Sequence, residues 1–134
     1  MTLVVDASTV VAALIDSGDD GRWAEHQLAS ERLVAPELLH VEVAHVLSGA
    51  ERRGHIDATS AALAFATMGR LPVELVPFAA CADRVWELRS NVTAYDACYV
   101  ALAEVLDAPL ATLDLKLTRA PGTRCSFITP YGDS

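Results

Sequence analysis

Four carboxylates stand where acids are unusual. Asp6 and Asp114 each follow a short apolar run, Glu42 interrupts the apolar stripe of a helical stretch, and Asp96 opens a segment that is apolar almost all round. Oxygen-only ligands of this kind select hard divalent cations, magnesium or manganese, over zinc. Without such an ion, four ionised carboxylates within several ångströms repel one another strongly, even at an effective dielectric of about 20. An ion so held activates water and stabilises charge on a phosphoryl group during in-line displacement. The chemistry indicated is hydrolysis of a phosphate ester or diester.

Each acid also has a plainer explanation. Asp6 could cap a following helix, although Ser8 is the better cap candidate and leaves Asp6 free. Asp114 could cap a short helix beginning at Leu115. Thr112, two residues earlier, points to the same side as Asp114 if the strand persists; its hydroxyl could hold a carboxylate, a water or a phosphate, or the residue could serve only as a strand former. Glu42 lies among Leu38, Leu39, His45 and Val46 at helical spacing. A carboxylate beside that stripe is costly without a partner, unless it reaches solvent at the edge. Asp96 ends Thr93-Ala94-Tyr95-Asp96, the spacing of a capping box with aspartate in the glutamate position.

Competing chemistries lack their motifs. Cys81, Cys98 and Cys125 are widely spaced with no CxxC pair, which suits buried or partly buried thiols. His26, His40, His45 and His55 show no metal-ligand pattern; His45 could orient Glu42 one turn away, although a surface or packing role is the plainer one. Walker loops and Gly-x-Ser-x-Gly are absent.

The elements that must position the acids alternate in type. Leu3-Val4-Val5 reads as a buried strand, followed by a helix capped at Ser8 and running to about Ile15. A turn at residues 18–21 precedes a helix from Trp23 to Ala29. Leu33-Val34-Ala35 is a strand closed by Pro36. Helices follow over residues 37–53 and 58–68, then a strand at 73–76 and a helix at 81–89. Thr93 caps a helix to about Leu106, Leu110 to Leu113 is a strand ending at Asp114, a short helix is expected after it, and residues 125–128 form the last strand. Strands alternating with helices predict a parallel sheet covered on both faces. Ligands bind outside the carboxyl ends of such strands, which places Asp6 and Asp114 on one edge. The buried helix opening near Thr93 turns its positive end, with Asp96, toward that edge.

The 134 residues, 52% of them apolar, suit one domain over 1–134 and exclude a disordered chain. No apolar run reaches the ~18 residues of a membrane helix, and the N-terminus lacks the basic region of a signal peptide, so the expected location is cytoplasmic. The net charge of −8 opposes polyanion binding unless bound metal and a local basic patch offset it. Nine of the ten basic residues are arginine and the other is Lys116. Genome composition would explain that bias as well as recognition would. Arg52 and Arg53 near a helix end fit dipole and solvation roles, or contact with a polyanion.

Taken together, Val5-Asp6-Ala7-Ser8, Glu42-Val43-Ala44, Tyr95-Asp96-Ala97 and Thr112-Leu113-Asp114, in this order and spacing, resemble the PIN domain. The likeness spans essentially the whole chain, and its length and order are similar to VapC toxins of toxin–antitoxin pairs. The resemblance implies a PIN-like three-layer α/β fold, with a central, mostly parallel sheet of about five strands flanked by helices. It implies a magnesium- or manganese-dependent endoribonuclease, with Asp6 and Asp96 as principal metal ligands. Glu42 and Asp114 would complete the acidic site, directly or through water, and Ser8 and Thr112 would be supporting polar groups. It further implies a homodimer and a cognate VapB-like antitoxin, whose arginine often enters the acidic pocket. His45 departs from the asparagine seen in many relatives, and Lys116 stands where a further acid could have been. Two alternatives remain at this point: a metal-dependent phosphohydrolase acting on small phosphate esters, and a non-catalytic interaction module in which the acids only cap helices.

Overall fold

The computed structural model describes residues 1–133. Its centre is β1 (Thr2–Val5), followed by α1 (Ala7–Ile15), α2 (Asp19–Leu28), β2 (Arg32–Pro36), α3 (Leu39–Arg52), α4 (Ala58–Met68) and β3 (Val73–Val76). A 3-10 turn at Phe78–Ala80 leads into α5 (Ala82–Glu87), α6 (Ala94–Leu106), β4 (Leu110–Ala111), α7 (Leu115–Thr118), β5 (Phe127–Thr129) and β6 (Gly132–Asp133). The sheet order is β3-β2-β1-β4-β5-β6, with β1 to β5 parallel and β6 antiparallel to β5.

Leu3, Val4 and Val5 are fully buried although neighbouring side chains on a strand point to opposite faces. Both faces of β1 are therefore covered, as the continuous apolar run predicts. α6 packs on β1, β2 and β4, and α1 packs against α2, α3 and α4. Seven consecutive residues of α6, Ala97 to Ala103, are buried, so it is a core helix rather than an amphipathic one. In α3 the buried residues Leu39, Val43, Leu47 and Ala50 form the inward stripe, and Glu42 lies at its margin.

The chain runs from β1 to β2 on one side and reaches β4 on the other, so the strand order reverses between β1 and β4. That switch point opens a crevice at the carboxyl ends of the two strands, where Asp6 and Asp114 stand.

Three local expectations are corrected. The cap of α1 is Asp6, which accepts from the Thr9 N–H, and not Ser8. Residues 18–21 are not a separate turn: α2 starts at Asp19, with Asp19 and Asp20 favourably placed in its first turn. Gly21 lies within that helix, and the position requires glycine because a Cβ there would stand 1.7 Å from the Asp16 carbonyl oxygen. β4 stops at Ala111, so Thr112 does not share a strand face with Asp114. Among the described residues, no helix is long and apolar enough to cross a membrane.

Candidate active site

All four acids sit in or before the first turn of a helix. Asp6 caps α1, Glu42 lies in the first turn of α3, Asp96 in that of α6, and Asp114 caps α7. The capping and site explanations are therefore not alternatives. For Asp6 and Asp114 a strand end delivers the chain to the crevice and a helix begins there, so each caps its helix beside the crevice, while Glu42 and Asp96 lie in first turns where the helix dipole favours an acid.

Asp6 is the most enclosed of the four, with 7% of its surface exposed. Its Oδ1 accepts from the Ser8 hydroxyl at 2.7 Å and the Thr9 N–H at 3.0 Å, and its Oδ2 accepts from the Thr112 hydroxyl at 2.5 Å. Three of its roughly four acceptor positions are taken, which leaves one open on Oδ2. Burial raises its pKa above the usual aspartate value, and the three donors oppose that rise.

The same hydroxyls tie Asp6 to the β4–α7 loop. Ser8 Oγ accepts from the Leu113 N–H at 3.1 Å, and Thr112 Oγ1 accepts from the Asp114 N–H at 3.0 Å. The buried Thr9 hydroxyl donates to the Ala111 carbonyl at 2.9 Å and closes the seam between α1 and β4.

Glu42 is joined to α6 by Tyr99, whose hydroxyl donates to its Oε1 at 2.6 Å. Burial raises the Glu42 pKa, the Tyr99 bond lowers it, and repulsion from Asp96 and Asp6 raises it further. Tyr99 in turn is pushed far above the ordinary phenol range by burial and by Glu42, so it remains a donor. Asp96 is raised by burial and then by Asp114 and Asp6. The Thr93 hydroxyl accepts from the Asp96 N–H at 3.2 Å, the capping bond foreseen for that pair.

Glu42 therefore feels Asp96 and Asp6, and Asp96 feels Asp114 and Asp6. Among the described residues, no three acidic, histidine or cysteine side chains converge closely enough to hold an ion as they stand. The donors still fit a hard divalent cation in kind: all are carboxylate oxygens, and three of the acids are groups whose ionised form burial disfavours and a cation would favour.

Tyr99 and Thr9 are absent from the sequence-derived site. Tyr99 lies three residues after Asp96, on the same face of α6, and its hydroxyl in an otherwise apolar helix was the available signal. His45 is exposed, in keeping with the surface role. Cys81 and Cys98 are buried free thiols, and Cys125 is partly buried.

A family model, the PIN domain, matches residues 3–122. The chain belongs to the PIN-domain family. Within it, this PIN chain is of the VapC type: it is 40% identical over 123 residues to Ribonuclease VapC9 of Mycobacterium tuberculosis, covering 92% of this chain and 94% of that one. Ribonuclease VapC1 of the same organism is also 40% identical, over 125 residues, with the same two coverages. Among solved structures, VapBC2 from Rickettsia felis, bound to a DNA fragment from its promoter, superposes with a TM-score of 0.67 at 16% identity. It covers 96% of this PIN chain and 98% of that chain. The sarcin-ricin loop cleaving toxin VapC20 of M. tuberculosis gives 0.66 at 17% identity, covering 91% and 96%. At those identities the likeness concerns the PIN fold alone.

Proposed function

We propose that this chain is a metal-dependent endoribonuclease, the toxin of a toxin–antitoxin pair, hydrolysing RNA phosphodiester bonds. The observation that carries the reading is the gathering of Asp6, Glu42, Asp96 and Asp114 at the β1–β4 switch point of a chain 40% identical to VapC ribonucleases. A small-ester phosphohydrolase and a non-catalytic module lack comparable support among those relatives.

Asp6 and Asp96 would be the principal ligands of magnesium or manganese, with Glu42 and Asp114 binding directly or through water. When bound, the ion supplies an activated water and positive charge facing the phosphoryl oxygens. The protein's own part is orientation. Ser8, Thr9 and Thr112 hold Asp6 in one pose, and Tyr99 holds Glu42 at the edge of α3. As partners we propose RNA, a cognate VapB-like antitoxin and a second copy of the chain, for which the exposed apolar Val41 of α3 and Leu63 and Phe65 of α4 are available contacts.

Asp6→Asn and Asp96→Asn test the reading. Each should lower magnesium-dependent RNA cleavage by at least about a hundredfold while the circular dichroism stays that of the parent. Full activity in either variant would sink the assignment.

A further inference from the structure

Beside the acids lies a cleft of about 540 Å³ whose lining includes Asp96 and Asp114 together with Arg89, Lys116, Asn91 and Thr93. Neither of its two cations is engaged in an ion pair. Arg22, Arg32 and Arg84 form ion pairs, whereas among the described residues neither Arg89 nor Lys116 pairs with a carboxylate. Two free positive charges therefore share a polar cleft with two site acids.

Arg89 is also held in place. Its guanidinium carbon lies 4.4 Å from the centre of the Trp86 ring, and Nη1 donates to the Trp86 carbonyl at 2.8 Å. Trp86 is 67% exposed, so its ring contributes little to the core and much to fixing that guanidinium. Lys116 is the chain's sole lysine and stands on α7, two residues after Asp114.

These placements answer the charge problem of an acidic protein acting on a polyanion. A metal in the acid cluster would face the scissile phosphate alone, and the neighbouring phosphates need cations of their own. Screening over a length of roughly 8 Å at physiological salt makes such local charges outweigh the distant surface.

We propose that Arg89 and Lys116 bind the RNA backbone phosphates adjacent to the scissile bond, with Trp86 positioning Arg89. The proposal rests on the ribonuclease reading. The experiment is steady-state cleavage of a single-stranded RNA with magnesium across a series of potassium chloride concentrations. It compares the parent, Arg89→Gln, Lys116→Gln and the double variant.

Both side chains are exposed, and unchanged melting curves would document intact folding. In the double variant KM should rise about tenfold with kcat within about twofold. The plot of log kcat/KM against log salt should flatten by about 0.7 per lost contact. Lys116→Arg should retain the parent slope, and Trp86→Leu should reproduce part of the Arg89→Gln effect. An active parent with an unmoved KM and salt slope in the double variant overturns this proposal and leaves the ribonuclease reading intact. A parent that cleaves no RNA overturns both.

Discussion

Replacing Thr112 by valine removes one hydroxyl and almost no volume. That hydroxyl is wholly buried, donates to Asp6 Oδ2 at 2.5 Å and accepts from the Asp114 N–H at 3.0 Å. A hydrogen bond to a charged group contributes about 1.5–3 kcal/mol. The Asp114 N–H belongs to an exposed residue that water can reach, so its loss adds at most about 1 kcal/mol. Thr112→Val should therefore cost roughly 1.5–4 kcal/mol near neutral pH. The deficit should also depend on pH. The Thr112 bond favours ionised Asp6 against the upward pull of burial, so the variant holds the Asp6 pKa higher still. A folded state that takes up its proton more readily gains stability relative to the parent on acidification. Urea unfolding at pH ~7.5 and at pH ~5 should show the gap narrowing at the lower value. Thr112→Ser should restore the pH-dependent part, leaving about 1 kcal/mol for the lost methyl. A valine variant within about 0.5 kcal/mol of the parent at both pH values, or equally destabilised at both, would refute the reasoning.

Tyr99→Phe should cost about 1–2 kcal/mol, since Glu42 is only partly buried and recovers some hydration. A double-mutant cycle with Glu42→Ala, which removes the acceptor, reads the coupling, and zero coupling would contradict the contact. Asp6, Glu42 and Asp96 are raised above reference values of 3.8, 4.5 and 3.8. Their contribution to stability is thus full below those values and lost as pH rises through the folded ones. Melting of metal-free protein should show that loss toward neutral pH, and saturating magnesium should offset it by about 2.7 kcal/mol at a hundredfold excess over Kd; a metal-independent melting curve would count against the site. Gly21→Ala should destabilise by more than about 3 kcal/mol, because backbone atoms rather than a side chain occupy the Cβ position; thermal melting would measure it, and a neutral outcome would mean that α1 and α2 do not meet so closely.

The strand–helix alternation was legible because buried parallel strands are apolar without interruption, and β1 and the Ala97–Ala103 core of α6 carry that signal in single residue types. The acids stood out for the same reason, since each breaks an apolar context. Which hydroxyl serves which acid did not stand out. Ser8 has the residue type of a cap, yet the backbone turns one residue earlier and Asp6 takes that position. Thr112 joins the site through a strand that ends at Ala111, a boundary set by where α7 begins rather than by propensity. Tyr99 meets Glu42 across 57 positions of chain, and nothing local to either residue records that meeting. The short β6 depends on pairing with β5 alone, too little sequence to carry a pattern.

That all four acids begin helices has a consequence for the order in which the molecule is made. The Asp6 and Asp114 carboxylates are placed by backbone N–H groups at helix termini and that of Glu42 by the Tyr99 hydroxyl, all contacts that the folded chain supplies by itself. Small zinc modules are the reverse case, where metal binding is itself the folding step. Under the proposed function, folding and arming are therefore separate events. A cation presented to the crevice, whether a dissolved metal or a guanidinium on another chain, would have to draw the acids closer together than the fold alone leaves them.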